Sequence, residues 1–159
     1  MNLSHKIGAI PFNITENQCL LMLITSRTRE RLIFPKGNKD KKESRKKTCK
    51  REAFEEAGII GKVFKRFPIT QRISKSQNGK LGHVCVTYYP MFVLKQFDEW
   101  PEKSIRERHW IELHNAMSRN LEPEFVNIIK NFILLKDFIV SHAKDCLLYT
   151  SDAADEWIG

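Results

Sequence analysis

Gly37, then Glu43, then Arg51-Glu52-Ala53-Phe54-Glu55-Glu56-Ala57-Gly58-Ile59 is the stretch whose reading decides the fold. Glu52 and Glu56 stand four residues apart and Glu55 three after Glu52, so on a helix the three carboxylates project to neighbouring positions on one face. Like charges so placed repel, whereas a hard divalent cation such as Mg²⁺ takes oxygen ligands in such a cluster. Arg51 lies four residues before Glu55 and can hold it, and Gly58 is placed as a helix-terminating glycine. The spacing predicts a helix over Ser44 to Ala57. Its small residues Thr48, Cys49, Ala53 and Ala57 suit close packing on a sheet, and Lys46, Lys47 and Lys50 face solvent. Before it, Phe34-Pro35-Lys36-Gly37 and Asn38-Lys39-Asp40-Lys41-Lys42 read as a turn-rich, cationic loop.

On both sides of that stretch the patterning is that of short strands. Lys6 to Phe12 is an apolar strand that Pro11 ends or confines to an edge. Cys19 to Ser26 follows as its hairpin partner, and Arg31 to Pro35 is a third extended piece. Beyond the helix, Gly61 to Ile73 and His83 to Leu94 are the two longest strands, joined by the polar segment Ser74 to Lys80 with its Asn78-Gly79 turn signal. Gln96 to Ser104 is a loop and Arg106 to Ile111 is extended. Asn120 with Pro123 opens a last helix, whose stripe of Phe125, Ile128, Ile129, Phe132, Leu135 and Ile139 is core. Strands arranged around two helices imply an α/β sandwich.

The chain of 159 residues, 42% hydrophobic and 29% charged, has the composition of one globular domain. It has no apolar run of transmembrane length and no signal-peptide pattern at its start, which makes a cytoplasmic protein the expectation and excludes a membrane role. Residues 146–159 read as the translation of a sequencing-library adaptor, which leaves 1–145 as the domain. Without Asp152, Asp155 and Glu156 the net charge rises from +8 to +11. So basic a domain expects a polyanionic partner. Cys19, Cys49 and Cys85 have no metal-type spacing and read as core thiols.

The signature stretch resembles that of the Nudix hydrolases, G-x5-E-x7-R-E-U-x-E-E-x-G-U with U apolar, and every fixed position is filled. Chance would do so on the order of 10⁻¹⁰ times per starting position. Within that superfamily the chain is most similar to the diphosphoinositol polyphosphate phosphohydrolase-like branch, through Gly8-Ala9-Ile10, Phe34-Pro35-Lys36-Gly37, Asp98-Glu99-Trp100 and Arg106-Glu107-Arg108-His109-Trp110.

The resemblance implies an α/β/α sandwich with a mixed β-sheet between helices, and a metal-dependent hydrolase. Glu52 and Glu56 would be the principal ligands of Mg²⁺ or Mn²⁺, with Glu55 and the Gly37 carbonyl completing the set. Arg51 and Glu43 would orient them; the resemblance leaves open which carboxylate is the general base, with Glu52 the favoured one. Arg27, Arg31, Lys36, Arg72, His83, Arg106 and Arg108 are the candidates to grip outer phosphates. The expected substrate is a polyphosphorylated small molecule, a diphosphoinositol polyphosphate or dinucleoside polyphosphate, with a nucleotide sugar or capped RNA less favoured. The alternative is a basic module of the same fold that binds RNA or a ligand without turnover. The sequence leaves the oligomeric state open.

Overall fold

The computed structural model describes residues 5–150. In chain order the elements are β1 (Lys6–Thr15), β2 (Gln18–Thr25), β3 (Leu32–Ile33), β4 (Lys36–Asn38), α1 (Arg45–Ala57), β5 (Ile59–Val63), β6 (Ile69–Gln77), β7 (Lys80–Gln96), β8 (Arg108–Glu112), α2 (Leu113–Ala116) and α3 (Pro123–Thr150). The strands form one sheet with the path β3-β2-β1-β7-β5, to which β4 adds on β1, β6 on β7 and β8 on β2. Among the described residues only β1 and β7 pair in parallel, so the sheet is mixed, and helices flank it as expected.

Pro11 neither ends the first strand nor sits at an edge. β1 is central and continues to Thr15. The reason is a seam: on one side of β1, Lys6 to Gly8 pair with β4 and Phe12 to Thr15 pair with β2. Ala9 donates its N–H to the Pro35 carbonyl on that side at 2.9 Å. Strand amides alternate with period two, so the N–H that Pro11 lacks would have pointed into the gap between the two partners.

The long strand expected from Gly61 to Ile73 is two strands, interrupted at residues 64–68 ahead of Ile69. Pro68 cannot donate to a ladder, and the Phe64 amide turns aside to the Pro90 carbonyl at 2.8 Å. The 17-residue β7 serves both pieces, β6 along its first half and β5 along its second. The polar segment after Ile73 continues the ladder to Gln77 rather than looping out. The turn itself is where Asn78-Gly79 signals it, both residues having positive φ (53° and 76°) as a tight hairpin requires.

α1 begins and ends where the sequence places it. Ser44 caps its start, its hydroxyl accepting the Lys47 amide at 3.1 Å. Gly58 closes it at φ 66°, donating to the Phe54 carbonyl at 3.0 Å. A side chain at Gly58 would meet both a disfavoured backbone and the Trp100 ring, 2.7 Å from an added Cβ. Gly58→Ala is therefore expected to cost about 1–3 kcal/mol, measured by denaturant unfolding, with loss at the helix end rather than global misfolding.

Phe12 anchors the core on the α3 side, in edge-on contact with Phe64, Phe92 and Phe132 at 5.4–5.7 Å. The α3 stripe packs as expected, with Leu135 only partly buried. The helix runs through the expected boundary at residue 145 and packs Cys146 against the core, while residues 151–159 of the adaptor-like stretch lie outside the described residues. Among the described residues no helix is long and apolar enough to cross a membrane.

Candidate active site

Two features bring α1 close to the sheet. Its inward residues Thr48, Cys49, Ala53 and Ala57 are small and fully buried, and the Cys49 thiol donates to the Gly8 carbonyl of β1 at 3.3 Å. Next to these, the same helix face carries Glu52 and Glu56 into the interior, at 7% and 8% exposure. β4 runs past them: the Lys36 amide donates to Glu56 Oε1 at 3.3 Å, and a Cβ on Gly37 would collide with the Glu52 carboxylate. Glycine at this position is a matter of space, not of backbone angle.

The two carboxyls sit on one buried face of α1, close enough to influence each other's ionisation. Burial pushes Glu56 up, the bond it gives to Glu52 adds to the shift, and Arg106 opposes it. Burial also raises Glu52, against the bonds from Glu56 and Arg51. Two acids this close in low dielectric raise each other, and a further cation beside Arg51 and Arg106 would favour the doubly charged pair.

Arg51 fixes one edge of this pair. Its Nε and Nη2 hold Glu43 at 2.9 and 3.0 Å in a two-point ion pair, its Nη1 reaches Glu52 Oε1 at 2.7 Å, and its Nη2 also donates to the Asn38 carbonyl at 2.9 Å. Glu43 further accepts the Thr48 hydroxyl at 2.7 Å. Those bonds, from Arg51 first and then Thr48, hold the Glu43 carboxyl down at about 2, so it stays charged. Glu43 thus holds Arg51 against Glu52.

Glu55 stands apart. Its side chain is 40% exposed and leans on Arg51 at 3.5 Å, and no three acid, His or Cys side chains converge as a ready-made cage among the described residues. The site is a carboxylate pair with a third acid at its rim.

The expected phosphate-gripping bases divide. Arg106 is buried and committed within the protein: it donates to the Thr25 carbonyl at 2.9 Å, pairs with Glu102 at 3.0 Å and lies 3.8 Å from Glu56. Arg108 donates to the carbonyls of Phe97 (2.8 Å) and Ala57 (3.2 Å) and stacks 3.9 Å over the Trp100 ring, a clamp on the end of α1. Arg27, Arg31 and Arg72 are exposed and His83 half-buried, while Lys36 flanks the acids on β4. None of Arg27, Arg31, Arg72 and His83 bonds to the acid pair, so the structure joins Gly37, Glu43, Arg51, Glu52, Glu56 and Arg106 and leaves these four outside that cluster.

Three participants escape a reading of the sequence. Glu102 orients Arg106 and is signalled only by its spacing of four residues. Trp100 donates its indole N–H to the Glu56 carbonyl at 3.1 Å. The Tyr88 hydroxyl is buried without a hydrogen-bond partner, within electrostatic reach of Glu56 and Glu124.

Residues 5–133 match the model of the NUDIX domain. Among curated proteins the chain is 30% identical over 122 residues to the mitochondrial Nudix hydrolase 17 of Arabidopsis thaliana, covering 69% of this chain and 63% of that one. It is 35% identical over 111 residues to Nudix hydrolase 13 of the same plant, covering 64% and 54%. The chain thus spans somewhat under two thirds of the length of the curated relatives it matches. Among solved structures, a binary complex of the C. elegans Ap4A hydrolase aligns with a TM-score of 0.64 at 18% identity, over 87% of this chain and 98% of that one. The NUDIX domain of Shewanella oneidensis NrtR complexed with ADP ribose aligns with 0.62 at 14%, over 82% and 86%.

Proposed function

Because the chain belongs to the NUDIX domain family, we propose that it is a metal-dependent hydrolase that cleaves a phosphoanhydride in a highly phosphorylated substrate, a diphosphoinositol polyphosphate or a dinucleoside polyphosphate. The observation that carries this is the buried Glu52–Glu56 pair on one face of α1, with Glu52 held by the Arg51–Glu43 brace. An all-oxygen donor set of this kind fits a hard divalent ion. Glu52, Glu56 and the Gly37 carbonyl would hold Mg²⁺ or Mn²⁺, with Glu55 assisting from the rim. Such an ion neutralises charge on phosphate oxygens and acidifies water.

The chain's own groups supply the rest. Arg51 occupies Oε1 of Glu52, which leaves Oε2 to take the proton of the attacking water as general base. Glu43, charged throughout the physiological range, keeps the Arg51 fork in register. Arg106 offsets the charge of Glu56 rather than touching substrate. Gripping the outer phosphates then falls to Arg27, Arg31, Lys36, Arg72 and His83, and the excess of basic residues favours a substrate with many phosphates over a nucleotide sugar.

Product release across three substrates, a diphosphoinositol polyphosphate, a dinucleoside polyphosphate and a nucleotide sugar, tests this with Mg²⁺ and with EDTA. We expect turnover only with metal, a higher kcat/KM for the polyphosphates and a loss with added salt confined to them. Turnover in EDTA would sink the metal assignment, and preference for the nucleotide sugar the substrate class. Tight binding of all three without turnover would make the chain a binding module.

A further inference from the structure

A helix leaves its final carbonyls without partners inside the helix and gathers partial negative charge at that end. The last turn of α1 is Phe54-Glu55-Glu56-Ala57, with two acids and no base, so the carboxylates stand at the end of the helix that disfavours them. The connection from β7 to β8 meets this end directly.

Residues 97–108 supply a donor to each of the last carbonyls. The Glu102 amide donates to the Glu55 carbonyl at 3.1 Å and the Trp100 indole N–H to that of Glu56 at 3.1 Å. Arg108 Nη1 donates to that of Ala57 at 3.2 Å, and the Phe97 amide to that of Gly58 at 2.8 Å. Tight turns hold the segment together, the Lys103 amide donating to the Trp100 carbonyl at 3.2 Å and the Ile105 amide to that of Glu102 at 3.0 Å. The Trp100 ring is held by the Arg108 guanidinium, 3.9 Å from its centroid, and lies against Gly58, where an added Cβ would meet it. The same segment reaches the Glu56 side chain, because Glu102 pairs with Arg106 and Arg106 lies 3.8 Å from Glu56 Oε1. Glu56 is thus held at its main chain and at its carboxylate from one segment, while Glu52 is held by Arg51 and Glu43.

Resting on the reading of this site as a metal-dependent hydrolase, we propose that Trp100 is a positioning residue for the divalent cation. By holding the Glu56 carbonyl, its indole N–H fixes the last turn of α1 and so the place from which the Glu56 carboxylate reaches the ion. Two of the four donors are backbone amides, and Arg108 also bonds the Phe97 carbonyl, so Trp100 is the contact that one substitution removes cleanly. Trp100→Phe keeps a ring beside Arg108 and Gly58 and takes away the donor.

Titration of the full chain with Mn²⁺ alone, followed by electron paramagnetic resonance, tests this without substrate. Trp100→Phe should weaken Mn²⁺ binding about tenfold or more. The benzothienylalanine analogue at position 100, which has the shape of tryptophan without the N–H, should reproduce that loss and separates the donor from the ring. Phe132→Leu, a core change on the α3 side, should lower the melting temperature and leave Mn²⁺ affinity intact. In turnover, raising Mg²⁺ should restore the rate of Trp100→Phe, with KM for the polyphosphate unchanged. Wild-type Mn²⁺ affinity in the analogue would overturn the role of Trp100 and leave the hydrolase reading standing. So would an equal loss in Phe132→Leu, which would make the effect one of stability. Wild type that binds no Mn²⁺ would overturn the metal reading itself, and the role of Trp100 with it.

Discussion

Glu56→Gln is expected to lower the metal-supported hydrolysis rate by roughly 10²-fold or more, while the fold survives. The side chain keeps its shape and can still accept the Lys36 amide, but it no longer brings the charge that a divalent ion needs. Stability should move the other way. In the folded chain Glu56 holds its proton up to about pH 8, against about 4.5 for an ordinary glutamate. Between those values the folded state binds more protons than the unfolded one, so the metal-free wild type loses stability as pH rises through that window. Glutamine has no proton to give up. Melts in EDTA should therefore find the variant as stable as wild type near pH 5 and more stable near pH 8, with Mg²⁺ restoring the wild type alone. A wild-type rate in the variant would refute the ligand role. A melting temperature that collapses at every pH would mean that the carboxylate is structural.

How far this site can be read from the sequence depends on how local each contact is. Ser44, Gly58 and the Glu52–Glu56 spacing act within one helix, and the structure has α1 where they place it, with both acids on the buried face. The roles of Glu43 and Arg51 came from the resemblance, since spacing alone pairs Arg51 with Glu55, a contact the structure has at 3.5 Å beside the tighter one to Glu43. The course of β1 was not legible. Pro11 is tolerated only because β4 and β2 meet opposite it, and that seam joins residues distant in sequence. The two arginines before Trp110 show the same limit. Their sequence is that of a basic surface strand, yet Arg106 is buried by contacts to Thr25 and Glu56, 81 and 50 residues away. Burial decides between gripping a substrate and balancing a buried acid, and no local pattern reports it.

That difference gives the other large effect. If Arg106 gripped outer phosphates, changing it would raise KM for polyphosphates and spare the fold. Because it is 5% exposed and satisfies Glu102, the Thr25 carbonyl and part of the Glu56 charge, Arg106→Leu should instead cost about 3–5 kcal/mol, read by denaturant unfolding without metal. Most of that cost is the stranding of acids and a carbonyl, not the loss of attraction itself. Above pH 8, where Glu56 carries its charge, the double variant with Glu56→Gln should therefore be less destabilised than the sum of the two single changes, by about 1 kcal/mol. Arg106→Lys keeps the charge but loses the planar fork, and should fall between wild type and Arg106→Leu in stability with an unchanged KM for the polyphosphate. A stable Arg106→Lys protein with KM raised only for the polyphosphate would return the guanidinium to the substrate.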